Sequence, residues 1–155
     1  MLRCEDIIEA VLSYNPGADI TMIQRGYIFS AKVHKGQTRL SGEAYLSHPL
    51  EVAGILTQLQ LDVPTIVAGL LHDTVEDTHT SRDVVQEFFG EEVASLVDGM
   101  TKISSIQYTT AEDRQAENIR KMIIAMVNDI RVILIKLGDR LHNMRTLEYL
   151  PKEKQ

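Results

Sequence analysis

Residues 64–72 are apolar on almost every side, with Ile66, Val67, Ala68, Leu70 and Leu71 around Gly69. Asp62-Val63-Pro64 supplies a helix start, because proline is accommodated in a first turn where its missing N–H is not needed. A helix that is apolar all round has no face to offer to water and belongs at the centre of a domain. The other segments must therefore wrap around this one. The run ends abruptly in His72-Asp73, with Glu76 and Asp77 close behind. A central helix ending in an imidazole and carboxylates carries chemistry to the edge of the core.

The flanking segments read as amphipathic helices. Residues 2–13 carry Ile7, Ile8, Val11 and Leu12 at helical spacing, and Asn15-Pro16-Gly17 stops them. Asp19 caps a second helix over 20–35, with Ile23, Tyr27, Ala31 and His34 in one stripe and Gly36 at its end. Residues 37–47 lack a helical period and read as a loop of the kind that carries chemistry on a rigid scaffold. Pro49 opens a third helix running to Leu59, which sets His48 just ahead of it. Helices are expected over 81–89, 91–100 and 111–127, with 101–109 a mobile loop. Val132 to Ile135 has strand propensity. However, residues 130–147 are proline-free, too long for an average strand, and no partner strands occur elsewhere. A buried helix with Asp139 on its inner face fits better. The sum is an all-α bundle of about eight helices.

A chain of 155 residues fits one domain, here 1–155. It can bury roughly 70% of its unfolded surface. Trp is absent and aromatic residues make up 5%, so the core must be aliphatic. Sixteen basic against 22 acidic residues give a net charge of −6, which argues against nucleic-acid binding, since that needs a basic footprint. No apolar run approaches transmembrane length, and the first residues lack the pattern of a signal peptide. Cys4 is the lone cysteine, which agrees with a reducing, cytoplasmic setting. Nothing in the sequence sets an oligomeric state.

His72-Asp73 pairs the mixed N/O ligands that suit Mn, Fe or Zn. Taken alone the pair is unremarkable, because such dipeptides arise by chance and acidic residues after a helix usually form a solvated turn. Two further pieces give it weight: His48 before Pro49, and Asp139 in the segment from Leu137 to Asn143. One His, a His-Asp pair and a distant Asp total four ligands, with room for water on an ion that takes more.

Those three pieces, in that order, resemble the HD superfamily of metal-dependent phosphohydrolases. The stretches 39–49, 69–78, 97–102 and 130–147 are more narrowly similar to the hydrolase domain of the RelA/SpoT enzymes, whose domain removes pyrophosphate from the 3′ position of (p)ppGpp. The resemblance implies an HD-domain bundle with His48, His72, Asp73 and Asp139 as ligands and Mn²⁺ as the ion. From ligand chemistry alone Fe or Zn fits almost as well. It implies that Glu76 and Asp77 position an attacking water and move its proton. A bound divalent ion would acidify that water and polarise a phosphoryl oxygen.

The substrate implied is a guanine nucleotide, ppGpp or pppGpp, held by Arg39, Asn143 and Thr146. A guanidinium both binds phosphate and stacks on a base, and Asn143 shares a helix face with Asp139. Lys102, Arg140 and Arg145 are weaker cationic candidates, and His142 and His79 match no ligand position. Leu40 stands where the long enzymes often carry Lys, and Gly138 where they often carry Ala. Two alternatives remain open: an HD phosphohydrolase for another nucleotide, and a module that binds the alarmone without cleaving it. The C-terminal residues resemble the point where long members continue, so the chain is expected to be a fragment of, or a truncated relative of, a bifunctional enzyme.

Overall fold

The computed structural model of the chain describes residues 2–104 and 110–154. The helices are α1 (Cys4–Tyr14), α2 (Ile20–Val33), α3 (Ser47–Gln58), α4 (Val63–Leu71), α5 (Thr74–Asp77), α6 (Arg82–Phe89), α7 (Glu91–Ser104), α8 (Ala111–Asn128) and α9 (Ile130–Arg145). Two 3-10 turns follow, Leu147–Tyr149 and Lys152–Lys154. No strand occurs among the described residues, only an isolated bridge between Thr38 and Ala44. The single turn α5 aside, eight longer helices are described, and the protein is an all-α bundle. No described helix is long and apolar enough to cross a membrane.

The apolar segment is α4, and every residue from Thr65 to Leu71 is buried. Asp62 caps it, accepting from the Thr65 N–H at 3.1 Å. It packs against α2, α3 and α7, with α9 closing the far side. Gly69 permits close approach of α3, because a Cβ there would lie 2.7 Å from Leu56 Cδ1. Val52, Leu56, Ile66, Leu71, Leu96 and Ile135 are fully buried at this centre. Burial of each such side chain contributes about 1.5–3 kcal/mol. Arg131 ties the starts of three helices by pairing with Asp62, Glu92 and Asp129 at 2.7–2.9 Å.

Two local expectations need correction. His48 lies inside the first turn of α3, not ahead of it. The Ser47 and His48 N–H groups already bond to the Ala44 and Tyr45 carbonyls, at 3.0 and 3.2 Å, so the preceding turn winds directly into the helix. Residues 101–104, expected in a loop, extend α7, where Met100 and Ile103 are buried and reward another turn. The rest of that expected loop, 105–109, lies outside the described residues. The apolar helix ends at His72 as expected: the chain turns at His72-Asp73 and restarts as α5.

Candidate metal centre

Three elements meet at the C-terminal end of α4. His72 stands at that end, His48 projects from the start of α3, and Asp139 from the middle of α9. All three are less than a tenth exposed. His72 Nε2 and His48 Nε2 face each other at 3.2 Å. His48 Nε2 is 3.0 Å from Asp139 Oδ1, and His72 Nε2 is 3.1 Å from Asp73 Oδ2. The diagonal separations, His48 to Asp73 and His72 to Asp139, are both 3.6 Å. His48, His72 and Asp139 form a group of ligand atoms all within 4.8 Å of one another. Neighbouring ligands of one ion bound at roughly 2.1 Å stand about 3.0–3.4 Å apart, so these atoms fit around a single cation.

The outer ring nitrogens support that fit. His72 Nδ1 donates to the Gly69 carbonyl at 2.7 Å, so once Nε2 gives up its proton its lone pair faces the cluster. His48 Nδ1 is 2.7 Å from His142 Nδ1. For His48 to offer Nε2 as a ligand, its proton must sit on Nδ1 and His142 must accept it. Burial, together with His48 and Arg39, pushes the His142 imidazole down to about 4, so it is neutral and able to accept. His142 matched no ligand position in the sequence, and here it is the partner of a candidate ligand.

The charges within the cluster are strongly linked. Burial opposes a charge on His72, but Asp73 and Asp139 overcome it and pull the ring up to about 10. Burial pushes His48 below its ordinary value, with Asp139 opposing and His72 adding to the fall. Burial would raise Asp139, yet hydrogen bonds from His48 and His72, with Lys136 nearby, hold it well below the usual carboxylate range. Asp73 is likewise drawn down by His72 and His48 against its burial. Lys136 Nζ lies 3.5 Å from Asp139 Oδ2, a cation that the sequence reading missed.

A cleft of about 1030 Å³ opens over the cluster. Arg39, Glu76, Asp77, Asn143 and Thr146 all line it, and so do Arg140 and Leu40. Arg39 is held by a tight turn: its N–H bonds the Glu43 carbonyl and its carbonyl accepts from Gly42, both at 2.9 Å. Gly42 has φ +82°, a left-handed conformation that suits glycine. Arg39 Nη2 donates to Asn143 Oδ1 at 2.9 Å, and Asn143 Nδ2 donates to Asp139 Oδ1 at 3.0 Å. The other guanidinium nitrogen, Nη1, is buried without a hydrogen-bond partner among the described residues. Glu76 and Asp77 are exposed on the one-turn helix α5. The Tyr45 hydroxyl reaches both Asp77 Oδ2 and, at 3.0 Å, Asp73 Oδ2. Of the weaker cations, Lys102 is paired with Asp98 at 2.9 Å on the surface, and Arg145 does not line the cleft. Tyr45 carried no sequence signal beyond its place in the loop.

Known proteins are similar to this chain in sequence and in fold. Residues 26–155 match the family model described as HD domain. A Myxococcus xanthus protein named GTP pyrophosphokinase is 58% identical over 148 residues, which cover 94% of this chain and 20% of that protein. An Escherichia coli O157:H7 protein named guanosine-3′,5′-bis(diphosphate) 3′-pyrophosphohydrolase is 46% identical over 155 residues, 100% of this chain and 22% of that protein. The chain thus spans about a fifth of the length of the curated relatives it matches. A solved structure, of a protein described as a metazoan ortholog of SpoT that hydrolyzes ppGpp and plays a role in starvation responses, is 28% identical with a TM-score of 0.70. That match covers 85% of this chain and 76% of that one. An HD domain implies dependence on a divalent metal, and the His-His-Asp cluster is the fitting donor set. The match across most of its length, with that cluster at its centre, makes this chain a member of the HD-domain family.

Proposed function

We propose that the chain hydrolyses guanosine 3′,5′-bis(diphosphate), or its 5′-triphosphate form, at the 3′ position, releasing pyrophosphate and GDP or GTP. His48, His72, Asp73 and Asp139 are the ligands in this reading, and Mn²⁺ is the ion. A divalent cation held there would act as a Lewis acid toward the phosphate and promote deprotonation of water. The chain's own groups do the rest. Glu76 and Asp77 orient the attacking water, accept its proton and return one to the leaving group. Arg39 and Asn143 hold the nucleotide, with Thr146 on the same wall. A cytoplasmic setting fits Cys4, a buried free thiol.

The observation that carries this reading is the convergence of two imidazoles and two carboxylates beneath a cleft walled by Arg39. Arg39 Nη1, without a partner among the described residues, is a donor suited to an acceptor such as a phosphate oxygen. Arg39, Lys136 and Arg140 line the cleft, so cations gather there although the whole chain carries −6. The names of the relatives point to the same nucleotide. The test is pyrophosphate release from ppGpp by purified protein with Mn²⁺, with chelator, and with Mn²⁺ restored. Release that stops with chelator and returns with Mn²⁺, leaving GDP, is expected. No release with Mn²⁺ present overturns the reading.

A further inference from the structure

We propose that the Tyr45 hydroxyl is a positioning group that straps the acidic pair on α5 to the ligand cluster by bridging Asp77 and Asp73. The inference rests on the hydrolase reading for its kinetic consequence but on geometry for its origin. Helix α5 has four residues and no side-chain cap. Its turn is closed by the Asp77 N–H bonding the Asp73 carbonyl at 2.9 Å. So short a helix has little stability of its own, because nucleation fixes several residues for one bond. Glu76 and Asp77 nonetheless have to hold a fixed distance from the ligands if they handle a proton there.

The loop between α2 and α3 supplies the restraint. Tyr45 spans from that loop to Asp73, 28 positions on, and to Asp77, 32 positions on. A phenol has one hydrogen, so it donates to one carboxylate at a time and holds the two oxygens within reach of each other. The ring itself is fixed from behind. His34 stacks on it with centroids 4.4 Å apart and planes 19° off parallel. His34 Nδ1 donates to Gln37 Oε1 at 2.9 Å, and Gln37 Nε2 donates to the Asp77 backbone carbonyl at 3.3 Å. The end of α5 is therefore tied to the loop twice, once through its carboxylate and once through its backbone. The same loop carries Arg39, so substrate cation and acidic pair share one support.

Tyr45→Phe keeps the ring and its stack and deletes only the hydroxyl. Two quantities are read on the full chain: ppGpp turnover with Mn²⁺, and Mn²⁺ binding to chelator-treated protein followed by electron paramagnetic resonance. We expect kcat to fall about 10–100-fold, the usual loss on removing an outer partner of a metal site. KM and the melting temperature should stay at their wild-type values, a split that separates orientation from binding and from folding. In an Asp77→Ala background the same substitution should have little further effect, because the bridge it deletes is already gone. A loss in kcat or in Mn²⁺ affinity that is non-additive with Asp77→Ala supports the strap. Wild-type values for both quantities, or losses that multiply, overturn it. If wild-type protein releases no pyrophosphate, the hydrolase reading fails. The Mn²⁺ titration of the same variants then decides the strap by itself.

Discussion

His48, His72 and Asp139 are each under a tenth exposed and hang from α3, α4 and α9, three helices packed on one another. Glu76 and Asp77 sit exposed on a single helical turn, and Arg39 on a loop. The floor of the cleft thus inherits the rigidity of the core, whereas its rim depends on a few side-chain hydrogen bonds. Rigid placement suits an ion, whose ligands must converge within a few tenths of an ångström. On the proposed function the rim has to admit and release a charged nucleotide, a task that falls to loops and to elements of low local stability.

The widest separation of floor from rim comes from two substitutions. Asp139→Ala should lower Mn²⁺ affinity by more than about a hundredfold, beyond the loss expected for a mere outer partner. Glu76→Gln should leave Mn²⁺ binding at its wild-type level while kcat drops by about 10²–10⁴, the range for a lost general acid or base. Calorimetric Mn²⁺ titration beside steady-state kinetics reads both. Loss of the ion in Glu76→Gln would erase the division.

Proton competition probes the floor alone. Because the His72 pKa is raised to about 10, the ring holds a proton throughout the neutral range in chelator-treated protein. An ion taking Nε2 must displace that proton. Mn²⁺ affinity should therefore rise with pH up to about 10, and each ion bound near neutrality should release about one proton. Titrations in buffers of different ionisation enthalpy count it. Affinity independent of pH between 6 and 9 (roughly the window in which His72 stays charged) would contradict the assignment.

The smallest effects concern packing beneath the floor. A Cβ at Gly99 would lie 2.8 Å from Val132 Cγ2 and 3.2 Å from Cγ1, atoms of a stiff β-branched side chain. A Cβ at Gly138 would meet Leu56, Val52 and Ile55 at 3.5–3.7 Å, ordinary contact. Gly99→Ala should cost about 1–3 kcal/mol through overpacking. Gly138→Ala, the residue common in the long RelA/SpoT enzymes, should gain about 0.5–1 kcal/mol. At about 2–4 °C per kcal/mol the two melting temperatures move in opposite directions. A fall for Gly138→Ala would mean that the floor is tighter than its contacts indicate.

Local chemistry made the class and most of the elements legible. Apolar periodicity marked the helices, an all-round apolar run marked α4, and Asp19 and Asp62 proved to be N-caps because a side-chain oxygen answers an orphan N–H within three residues. The His-Asp pair and its two distant companions pointed to a cation from residue type and order. What the pattern did not carry were pairings between residues far apart in the chain. Arg39 meets Asn143 across 104 positions, His48 meets His142 across 94, and Tyr45 meets Asp77 across 32. None of those contacts has a periodic signature, since each depends on how closely the helices cross.

From its residues alone, then, this chain was bound to be helical, to bury 64–72, and to carry a ligand set of mixed nitrogen and oxygen. Which hydroxyl would strap the acidic pair, which imidazole would orient His48, and which amide would hold Arg39 were decided by packing. Gly69 lets α3 come close to α4, and that approach brings the start of one helix to the end of the other. Hydrogen bonds are short-ranged and directional, so a shift of about an ångström in a helix crossing is enough to make or lose each of them.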